Sequence, residues 1–420
     1  MKILVIGSGG REHALVRALK RSQSAGEVIC APGSDGIAQD VRCVNAGGND
    51  AILNLCRTES IDLVVVGPEQ PLVDGLADLL RAAGFAVFGP GAKGAQLEAS
   101  KDFTKKLCDR MRIPTARYAT FDALGDALAY IAQHGAPVVV KADGLAAGKG
   151  VTVAMTAAEA EKAVRDCFGG AFGESGSRVV LEEFLSGEEA SFFALCDGKR
   201  ALAFAGAQDH KRAYDNDEGP NTGGMGAYSP APVIDEAMQA RIMKEMIAPT
   251  VDGLTAQGIP YIGVLFAGIM LTGDGPKLIE YNCRFGDPET QVMLARFEGD
   301  LAALLMSCAK GALDASHLKF SEDAALCVVM AAKGYPGAYE KGTPIAGLDA
   351  AAEVPGVSVL HAGTVKDGET WKANGGRVLN IVARAPDLQD AYYAAYRAAD
   401  KIDWKQGFYR RDIGWRALKS

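Results

Sequence analysis

Residues 138–151 read VVVKADGLAAGKGV, in which an apolar strand and a lysine lead into a glycine-rich loop and a second strand. A Walker P-loop has serine or threonine after its Gly-Lys pair and then a helix, whereas Gly150 and a strand follow here. The pattern favours a hairpin flap over phosphates, with Lys141 beneath it as a point charge. The alternative, an exposed hairpin with solvated lysines, is weaker because three glycines and two lysines fall within ten residues.

Short strands alternate with helical segments in the first 90 residues. Strands are predicted at residues 3–6, 28–30, 63–66 and 86–88, and helices at about 12–21 and 72–83. Because these strands are apolar on both faces, they predict a buried parallel sheet. We therefore expect a small doubly wound, Rossmann-like α/β domain whose ligands lie at the carboxyl ends of the strands.

Glycine and proline residues mark the boundaries of the predicted helices and strands in the middle of the chain. A turn at 89–91 precedes one predicted helix from about 92 to 112. A hairpin is expected from strands 263–271 and 277–282. The glycine-rich stretch 208–230 exceeds normal connection lengths, which favours a functional loop, with disorder as the alternative.

The end of the chain returns to short strands, predicted at 327–331, 357–361 and 377–383. This pattern predicts a third, β-rich domain.

Composition and charge exclude several classes of protein. In 420 residues, 44 lysines and arginines stand against 52 aspartates and glutamates, a net charge of −8. Such a chain has no overall positive field for nucleic acid or an anionic membrane, and no apolar run approaches the ~20 residues that cross a bilayer. The first residues enter a strand without a signal peptide, so we expect a cytoplasmic protein.

A glycine turn and an acid are predicted at the carboxyl edge of the parallel sheet. The segment from Gly7 to Glu12, GSGGRE, follows a strand and opens a helix, where backbone N–H groups cradle a phosphate. Glu12 stands where the NAD fingerprint needs a third glycine, so NAD is disfavoured; a tight turn without a ligand is an equal alternative. Pro68 and Glu69 follow another strand, where Glu69 either binds sugar hydroxyls or, as its position alone favours, stabilises a helix N-terminus.

Two later segments carry charged side chains. In 180–189 a strand runs into a turn with four carboxylates, which suits a purine edge and ribose hydroxyls, although a solvated acidic turn is commoner. In the long loop, Lys211 and Arg212 are candidates to clamp a transferring phosphate, and a solvated mobile loop is the alternative.

Glu280, Asn282 and Arg284 alternate along the chain, so they share one face if the strand continues through Arg284. An acid and an amide suit Mg²⁺, which completes its octahedron with water and nucleotide phosphates. Arg284 suits a carboxylate or a phosphoryl oxygen. A polar edge strand is the alternative, and the FGDPE that follows at 285–289 favours the site.

In this order, motifs from end to end of the chain resemble the phosphoribosylamine–glycine ligase (glycinamide ribonucleotide synthetase) family of the ATP-grasp superfamily. They are GSGGREHA (7–14), PEQPLVDG (68–75), KADGLAAGKGV (141–151), QDHKR (208–212), GPNTGGMGAYSP (219–230), NCRFGDPETQ (282–291), GYPG (334–337), HAGT (361–364) and YRRDIG (409–414). The resemblance implies a fold of mixed α/β and α+β class. Its parts are a pre-ATP-grasp Rossmann-like domain (1–103), a two-subdomain ATP-grasp domain (104–325) with a mobile flap at about 118–190, and a small β-rich C-terminal domain (326–420).

The resemblance also implies roles for residues. Positions that match nucleotide contacts are Lys105, Lys141, Gly144, Gly148, Gly150, Glu182, Glu183, Phe184, Leu185, Glu189, Arg212 and Asn221, with Glu182 to Leu185 as the adenine hinge and Glu189 at the ribose. Positions assigned to substrates are Gly9, Gly10, Arg11, Glu12, Pro68, Glu69, Thr222 and Arg284, and those assigned to catalysis are Arg284, Asp209 and Lys211. Glu280 and Asn282 match the metal ligands, whereas Gly268 stands where many relatives place a further carboxylate.

The implied reaction joins glycine to 5-phosphoribosylamine with ATP, giving glycinamide ribonucleotide, ADP and phosphate through glycyl phosphate in purine synthesis. The implied cofactor is Mg²⁺, with Mn²⁺ as a substitute. We expect a monomer that binds these small molecules and neither nucleic acid nor membrane. The alternatives are another ATP-grasp carboxylate–amine ligase or carboxylase, and a nucleotide sensor without catalysis.

Overall fold

A computed structural model describes residues 1–145 and 150–418 of the chain. Its main sheets are an N-terminal parallel sheet, a small antiparallel flap sheet and a long antiparallel sheet. In the described part of the chain, no helix is long and apolar enough to span a membrane.

The N-terminal unit is a parallel sheet covered by helices. Its strands are β1 (Lys2–Gly7), β2 (Glu27–Pro32), β3 (Arg42–Cys43), β4 (Leu63–Val66) and β5 (Ala86–Phe88), and its helices are α1 (Gly10–Lys20), α2 (Asn49–Thr58), α3 (Glu69–Val73) and α4 (Leu76–Ala82). The sheet order is β3-β2-β1-β4-β5. The predicted strands are confirmed, but the helix predicted at 72–83 is wrong, because Gly75 takes φ +81 and separates α3 from α4.

A sharp break at Ser100 divides the helix predicted at 92–112. Helices α5 (Ala92–Ala99) and α6 (Lys101–Met111) meet at Ser100, whose backbone is extended, with φ −133 and ψ 115. Its hydroxyl oxygen accepts the Phe103 N–H at 3.1 Å and so caps α6. The first turns of α6 carry Lys101 and Lys105 into the cavity described below.

The flap is an antiparallel sheet with its own apolar core. It contains β6 (Tyr118–Phe121), α7 (Leu124–His134), β7 (Val138–Ala142), β8 (Val151–Ala154), α8 (Ala157–Asp166) and β9 (Val179–Glu183), in the sheet order β6-β9-β7-β8. The predicted strands on both sides of the glycine loop are confirmed and pair antiparallel. Ile131, Val140, Val164 and Leu181 pack together inside the flap. A separate core is what a subdomain needs to move as one body.

The long antiparallel sheet forms the base of the molecule. Its first part contains β10 (Glu188–Asp197), β11 (Ala201–Asp209), β12 (Arg212–Tyr214), β13 (Glu218–Asn221), β14 (Gly226–Ser229), α9 (Glu236–Ile242), α10 (Ala248–Thr255), β15 (Ile262–Thr272), β16 (Gly275–Asn282), α11 (Glu289–Arg296) and α12 (Leu301–Ala309). The predicted hairpin is confirmed as β15 and β16. The strands β12 and β13 lie off the sheet and pair with each other.

The C-terminal strands continue this sheet. The remaining elements are β17 (Ala324–Ala332), β18 (Pro344–Ile345), α13 (Leu348–Ala352), β19 (Val357–His361), β20 (Thr364–Asp367), β21 (Thr370–Ala373), β22 (Arg377–Ala385), α14 (Leu388–Ala399), β23 (Gly407–Phe408) and α15 (Trp415–Leu418). The sheet order is β16-β15-β10-β11-β14-β17-β22-β19. The β-rich end is therefore joined to the central strands by the pairing of β14 with β17. The domain boundaries drawn from the sequence stay predictions.

One apolar core fixes the base to the N-terminal sheet. Leu15 of α1, Phe193 of β10, Met293 of α11 and Val329 of β17 belong to the same buried cluster. The side chains that project from these elements are consequently held by a rigid framework.

Buried histidines connect distant segments of this framework. His13 of α1 accepts the backbone N–H of His361 at Nδ1, at 2.9 Å, and its Nε2 lies 2.9 Å from an Asp40 carboxylate oxygen. His210, in the loop after β11, accepts the Gly414 N–H at 3.2 Å. Burial lowers the pKa of His13, and it lowers the pKa of His210 and of His361 to about 3. These rings are neutral in the folded protein.

The stability contributed by neutral His210 and His361 should fall as the pH drops from 6.5 to 4.5, while the raised pKa of Asp209 acts in the opposite direction. In the unfolded chain each histidine binds a proton near pH 6.5, but His210 and His361 bind none until about pH 3 when folded. The unfolded state then holds more protons, so the free energy of unfolding decreases by about 1.4 kcal/mol per pH unit for each such histidine. Urea unfolding at several pH values measures this slope. His361→Asn should reduce the slope, His134→Gln at an exposed position should not, and a slope in the His361→Asn variant equal to that of the parent contradicts the account.

Candidate active site

A cavity of about 450 Å³ lies where the flap, the long sheet and the N-terminal sheet meet. The predicted site residues that line it are Arg11, Glu69, Lys105, Lys141, Gly144, Gly150, Glu182, Glu183, Phe184, Leu185, Glu189, Asp209, Lys211, Asn221, Thr222, Glu280, Asn282 and Arg284. Side chains from segments nearly 300 residues apart are thus brought into one space. Gly148 lies outside the described residues.

Two lysines share one glutamate at the base of the flap. Lys105 Nζ lies 3.0 Å from Glu182 Oε2, and Lys141 Nζ lies 2.9 Å from Glu182 Oε1. All three side chains are nearly buried, and burial lowers the pKa of Lys105 while Glu182 opposes that shift. With both lysines protonated, the trio carries one uncompensated positive charge, which favours a phosphate. The carboxylate of Glu182 is committed to the lysines, and the hinge role that the resemblance implies for residues 182–185 stays a prediction.

Apolar side chains line another part of the cavity. They come from both the flap and the long sheet: Val139, Val153, Phe184, Leu185, Met270 and Ile279. Val153 and Phe184 are each 36% exposed although they are large and apolar. A half-open apolar slot beside a cationic pair suits a flat base attached to phosphates.

Glu280 and Asn282 lie at the end of β16 and face the cavity. Within the described residues neither side chain forms a hydrogen bond or an ion pair. Burial acts to raise the pKa of Glu280, but Lys211, Lys141, Lys101 and Arg284 together lower it below its usual value, so the carboxylate is charged. Gly268 lies directly opposite Glu280 in β15 and adds no side chain.

The donor set fits a hard cation. Across residues 1–145 and 150–418, no three His, Cys, Asp or Glu side chains are grouped so as to hold a metal alone. One carboxylate and one amide oxygen without protein partners match Mg²⁺, which keeps water and phosphate ligands. They do not match zinc, which takes histidine and cysteine.

The strand does not continue through Arg284, which corrects the sequence-based premise. β16 ends at Asn282 because the Cys283 N–H donates to Glu98 Oε2 at 2.8 Å. Arg284 then lies between Glu69 Oε2, 3.2 Å from its Nε, and Glu98 Oε1, 3.0 Å from its Nη2. Burial acts to lower the pKa of Arg284, but Glu98 and Glu69 raise it above its usual value. Glu69 of α3 and Glu98 of α5 thus hold Arg284 at the cavity wall.

A second group of charges surrounds Asp209. Lys211 forms an ion pair with Glu189. Burial raises the pKa of Asp209 to about 7, with Lys211 opposing and Glu289 and Glu189 adding to the shift. Asp209 is therefore able to accept or release a proton near neutral pH.

Three family models match the chain in order. They are described as phosphoribosylglycinamide synthetase, N domain (residues 1–98), ATP-grasp (A) domain (99–290) and C domain (325–416). The chain belongs to this family. A phosphoribosylamine–glycine ligase of Rhizobium meliloti is 56% identical over 421 residues, covering 100% of this chain and 99% of the relative. The predictions of an ATP-grasp fold and of a ligase of purine biosynthesis are confirmed.

Solved structures agree with this membership. The crystal structure of a Thermotoga maritima phosphoribosylamine–glycine ligase has a TM-score of 0.86 and 31% identity, covering 98% of this chain and all of that chain. The biotin carboxylase domain of a Hydrogenobacter thermophilus 2-oxoglutarate carboxylase, solved with MgADP and bicarbonate, has a TM-score of 0.72 at 15% identity, covering 97% and 91%. That second likeness shows the fold alone.

Several positions assigned from the family resemblance do not line the cavity: Gly9, Gly10, Glu12, Pro68 and Arg212. Glu12 is buried and accepts the Gly9 N–H at 2.7 Å. A Cβ added at Gly67 would lie 2.2 Å from the Glu12 carboxylate, so this side chain fills the space under the turn. Glu12 therefore supports the turn, and the assignment of its side chain to substrate stays a prediction.

Sequence reasoning missed Glu98, Lys101 and Arg377, which also line the cavity. Arg377 Nη2 lies 3.1 Å from Asp287 Oδ2, and its Nη1 donates to the carbonyl oxygen of Gly223 at 2.5 Å. Glu98 lies in α5 and Arg377 in β22, where no local pattern marks either as functional. The pairing of β22 with β17 brings Arg377 to the cavity, and the packing of α5 and α6 against β16 brings Glu98 and Lys101 there.

Proposed function

We propose that this chain ligates glycine to 5-phosphoribosylamine, giving glycinamide ribonucleotide, ADP and phosphate through glycyl phosphate. The observation that carries the proposal is one cavity in which the lysine pair, the Glu280–Asn282 donor pair and Arg284 face each other. These groups supply what an ATP-dependent carboxylate activation needs: phosphate charge balance, cation ligands and a carboxylate anchor.

ATP binds with its base in the apolar slot and its phosphates at Lys105 and Lys141. The uncompensated charge of the Lys105–Lys141–Glu182 trio attracts the triphosphate. Gly144 and Gly150 line the cavity beside the flap loop, where glycines allow close approach to phosphate. Asn221 and Glu189 contact the nucleotide from the opposite side of the cavity.

Glu280 and Asn282 hold Mg²⁺, or Mn²⁺ in its place. When bound, the cation offsets negative charge on the phosphoryl oxygens. The two side chains have oxygens available for this purpose, and the lowered pKa of Glu280 keeps its carboxylate charged.

Glycine binds through its carboxylate at Arg284, and a carboxylate oxygen attacks the γ-phosphorus of ATP, so that the bond to the β–γ bridging oxygen breaks and ADP leaves as glycyl phosphate forms. The amine nitrogen of ribosylamine then attacks the carbonyl carbon of glycyl phosphate, and phosphate leaves. Asp209 takes the proton that the nitrogen loses, since burial raises the pKa of Asp209 to about 7. Closure of the flap keeps water from the acyl phosphate.

Ribosylamine occupies the end of the cavity near the N-terminal sheet. Arg11 and Arg377 line that end. Burial acts to raise the pKa of Asp287, but the positive charges of Arg377 and Arg11 outweigh it, and the pKa lies below its usual value. We assign the 5-phosphate to this cationic end with the Gly9-Gly10 turn, and the ribose hydroxyls to Glu69. Thr222 completes the wall.

ADP formation tests the proposed reaction. In an assay that generates ribosylamine from ribose 5-phosphate and ammonia, ADP should form only when glycine and ribosylamine are both present. ADP formation that needs bicarbonate instead favours a carboxylase. ATP binding without ADP release under any of these conditions favours a nucleotide sensor, and either outcome overturns the proposal. The monomeric state stays a prediction, checked by light scattering.

A further inference from the structure

The hairpin of β12 and β13 has a tight turn. Asn216 and Asp217 have φ values of +60 and +57, the left-handed region that residues with a Cβ rarely adopt. Asparagine and aspartate adopt this region more readily than other residues with a Cβ, and two in succession are typical of a tight hairpin turn. The open end of the same hairpin pairs Arg212 with Asn221, and Asn221 lines the cavity.

A buried arginine near the C-terminus holds both ends of this hairpin. The Arg410 side chain is fully buried, and its Nε and Nη2 donate to the two oxygens of Asp412 at 2.7 and 2.8 Å. Its Nη1 donates to Asp217 Oδ1 at 2.9 Å and to the carbonyl oxygen of Arg212 at 3.1 Å. One planar guanidinium therefore joins the turn to the base of the hairpin.

Neighbouring residues of the C-terminal segment complete the contact. The Asp412 carboxylate accepts the Asn216 N–H at 2.8 Å, and Arg416 forms an ion pair with Asp217. Both residues of the turn are thus held by the C-terminal segment. We call the set Asp217, Arg410, Asp412 and Arg416 the C-terminal clamp.

The hairpin transmits its position to the cavity. The Thr222 N–H and hydroxyl both donate to the carbonyl oxygen of Lys211, at 2.7 and 2.9 Å. Asn221, Thr222 and Lys211 all line the cavity, so a shift of the turn would move them together.

We propose that Arg410 is a positioning residue, which acts through the β12–β13 hairpin to set Asn221 and Lys211 against the nucleotide. The proposal rests on the proposed function only in placing ATP in this cavity. It gives the YRRDIG motif, which begins 127 residues after Asn282, a role in nucleotide binding.

Nucleotide binding by clamp variants tests this role. Asp217→Asn removes the negative charge that pairs with Arg410. Arg410→Lys keeps the positive charge but loses the planar guanidinium that donates to Asp412 and Asp217 at the same time. Each should raise the Kd of a non-hydrolysable ATP analogue with Mg²⁺ by about tenfold, the effect of weakening one charge-assisted hydrogen bond. Calorimetric titration measures this Kd, while circular dichroism and the melting temperature report the fold.

Arg411→Gln is the matched control. The Arg411 side chain is exposed and pairs with Asp400. The variant keeps the hydrogen bond that the backbone N–H of residue 411 donates to Asp215 Oδ1. The control should bind the analogue as the parent does. If the C-terminal clamp only stabilises the fold, the variants that fold should melt at lower temperatures and bind the analogue with an unchanged Kd. That result overturns the proposal. Because no glycine or ribosylamine is present, the outcome is independent of whether the ligation reaction occurs.

Discussion

Replacing Glu280 with glutamine should lower kcat by about 100- to 1,000-fold, as the loss of one preorganised charge-stabilising group does in other active sites. The carboxylate is charged because nearby cations hold the pKa of Glu280 below its usual value against the effect of burial. Glutamine keeps the shape and one oxygen but removes the charge that binds the cation. ADP release, measured over a range of Mg²⁺ concentrations, should also show a higher half-saturating concentration.

Asp274→Asn is the control for this variant. Asp274 lies in the exposed turn between β15 and β16, so the substitution removes a carboxylate from the same hairpin without touching the cavity. Its kcat should match that of the parent protein. Parent-like turnover in the Glu280→Gln variant would count against a cation at this position.

Replacing Lys141 with alanine should weaken ATP binding by about 10- to 100-fold, the range for one hydrogen bond to a charged group. Lys105 and Glu182 then form a neutral pair, so the positive charge that attracts the triphosphate is lost. Titration with the non-hydrolysable analogue measures the change in Kd.

Lys106→Ala is the control for the lysine pair. Lys106 follows Lys105 in α6 but is exposed and pairs with Asp102 one turn away. It should bind the analogue as tightly as the parent. Equal Kd values for Lys141→Ala and the parent contradict the role given to the flap lysine.

The sequence was sufficient for features that depend on local patterns. The strands of the N-terminal sheet and the hairpin around 272–276 were predicted because apolar runs and turn residues mark them within a few positions. The helix predicted at 92–112 failed at Ser100, where a capping side chain outweighs the helical spacing of its neighbours.

Features that depend on long-range contacts were beyond the sequence patterns. The end of β16 is set by Glu98, which lies 185 residues before Cys283 and accepts its N–H. Arg377 reaches the cavity only because β22 joins the long sheet beside β17. The family resemblance predicted nucleotide contacts for Lys105 and Asn221. The ion pairs of Lys105 and Lys141 with Glu182 are visible only in the structure.

A crystal structure with Mn²⁺ and a non-hydrolysable ATP analogue is the most direct test of the central claim, that Glu280 and Asn282 hold the cation beside the nucleotide phosphates. The account predicts an anomalous peak coordinated by both side chains and by phosphate oxygens, with Lys141 on the triphosphate. A triphosphate bound away from these residues, with no cation between them, would contradict it.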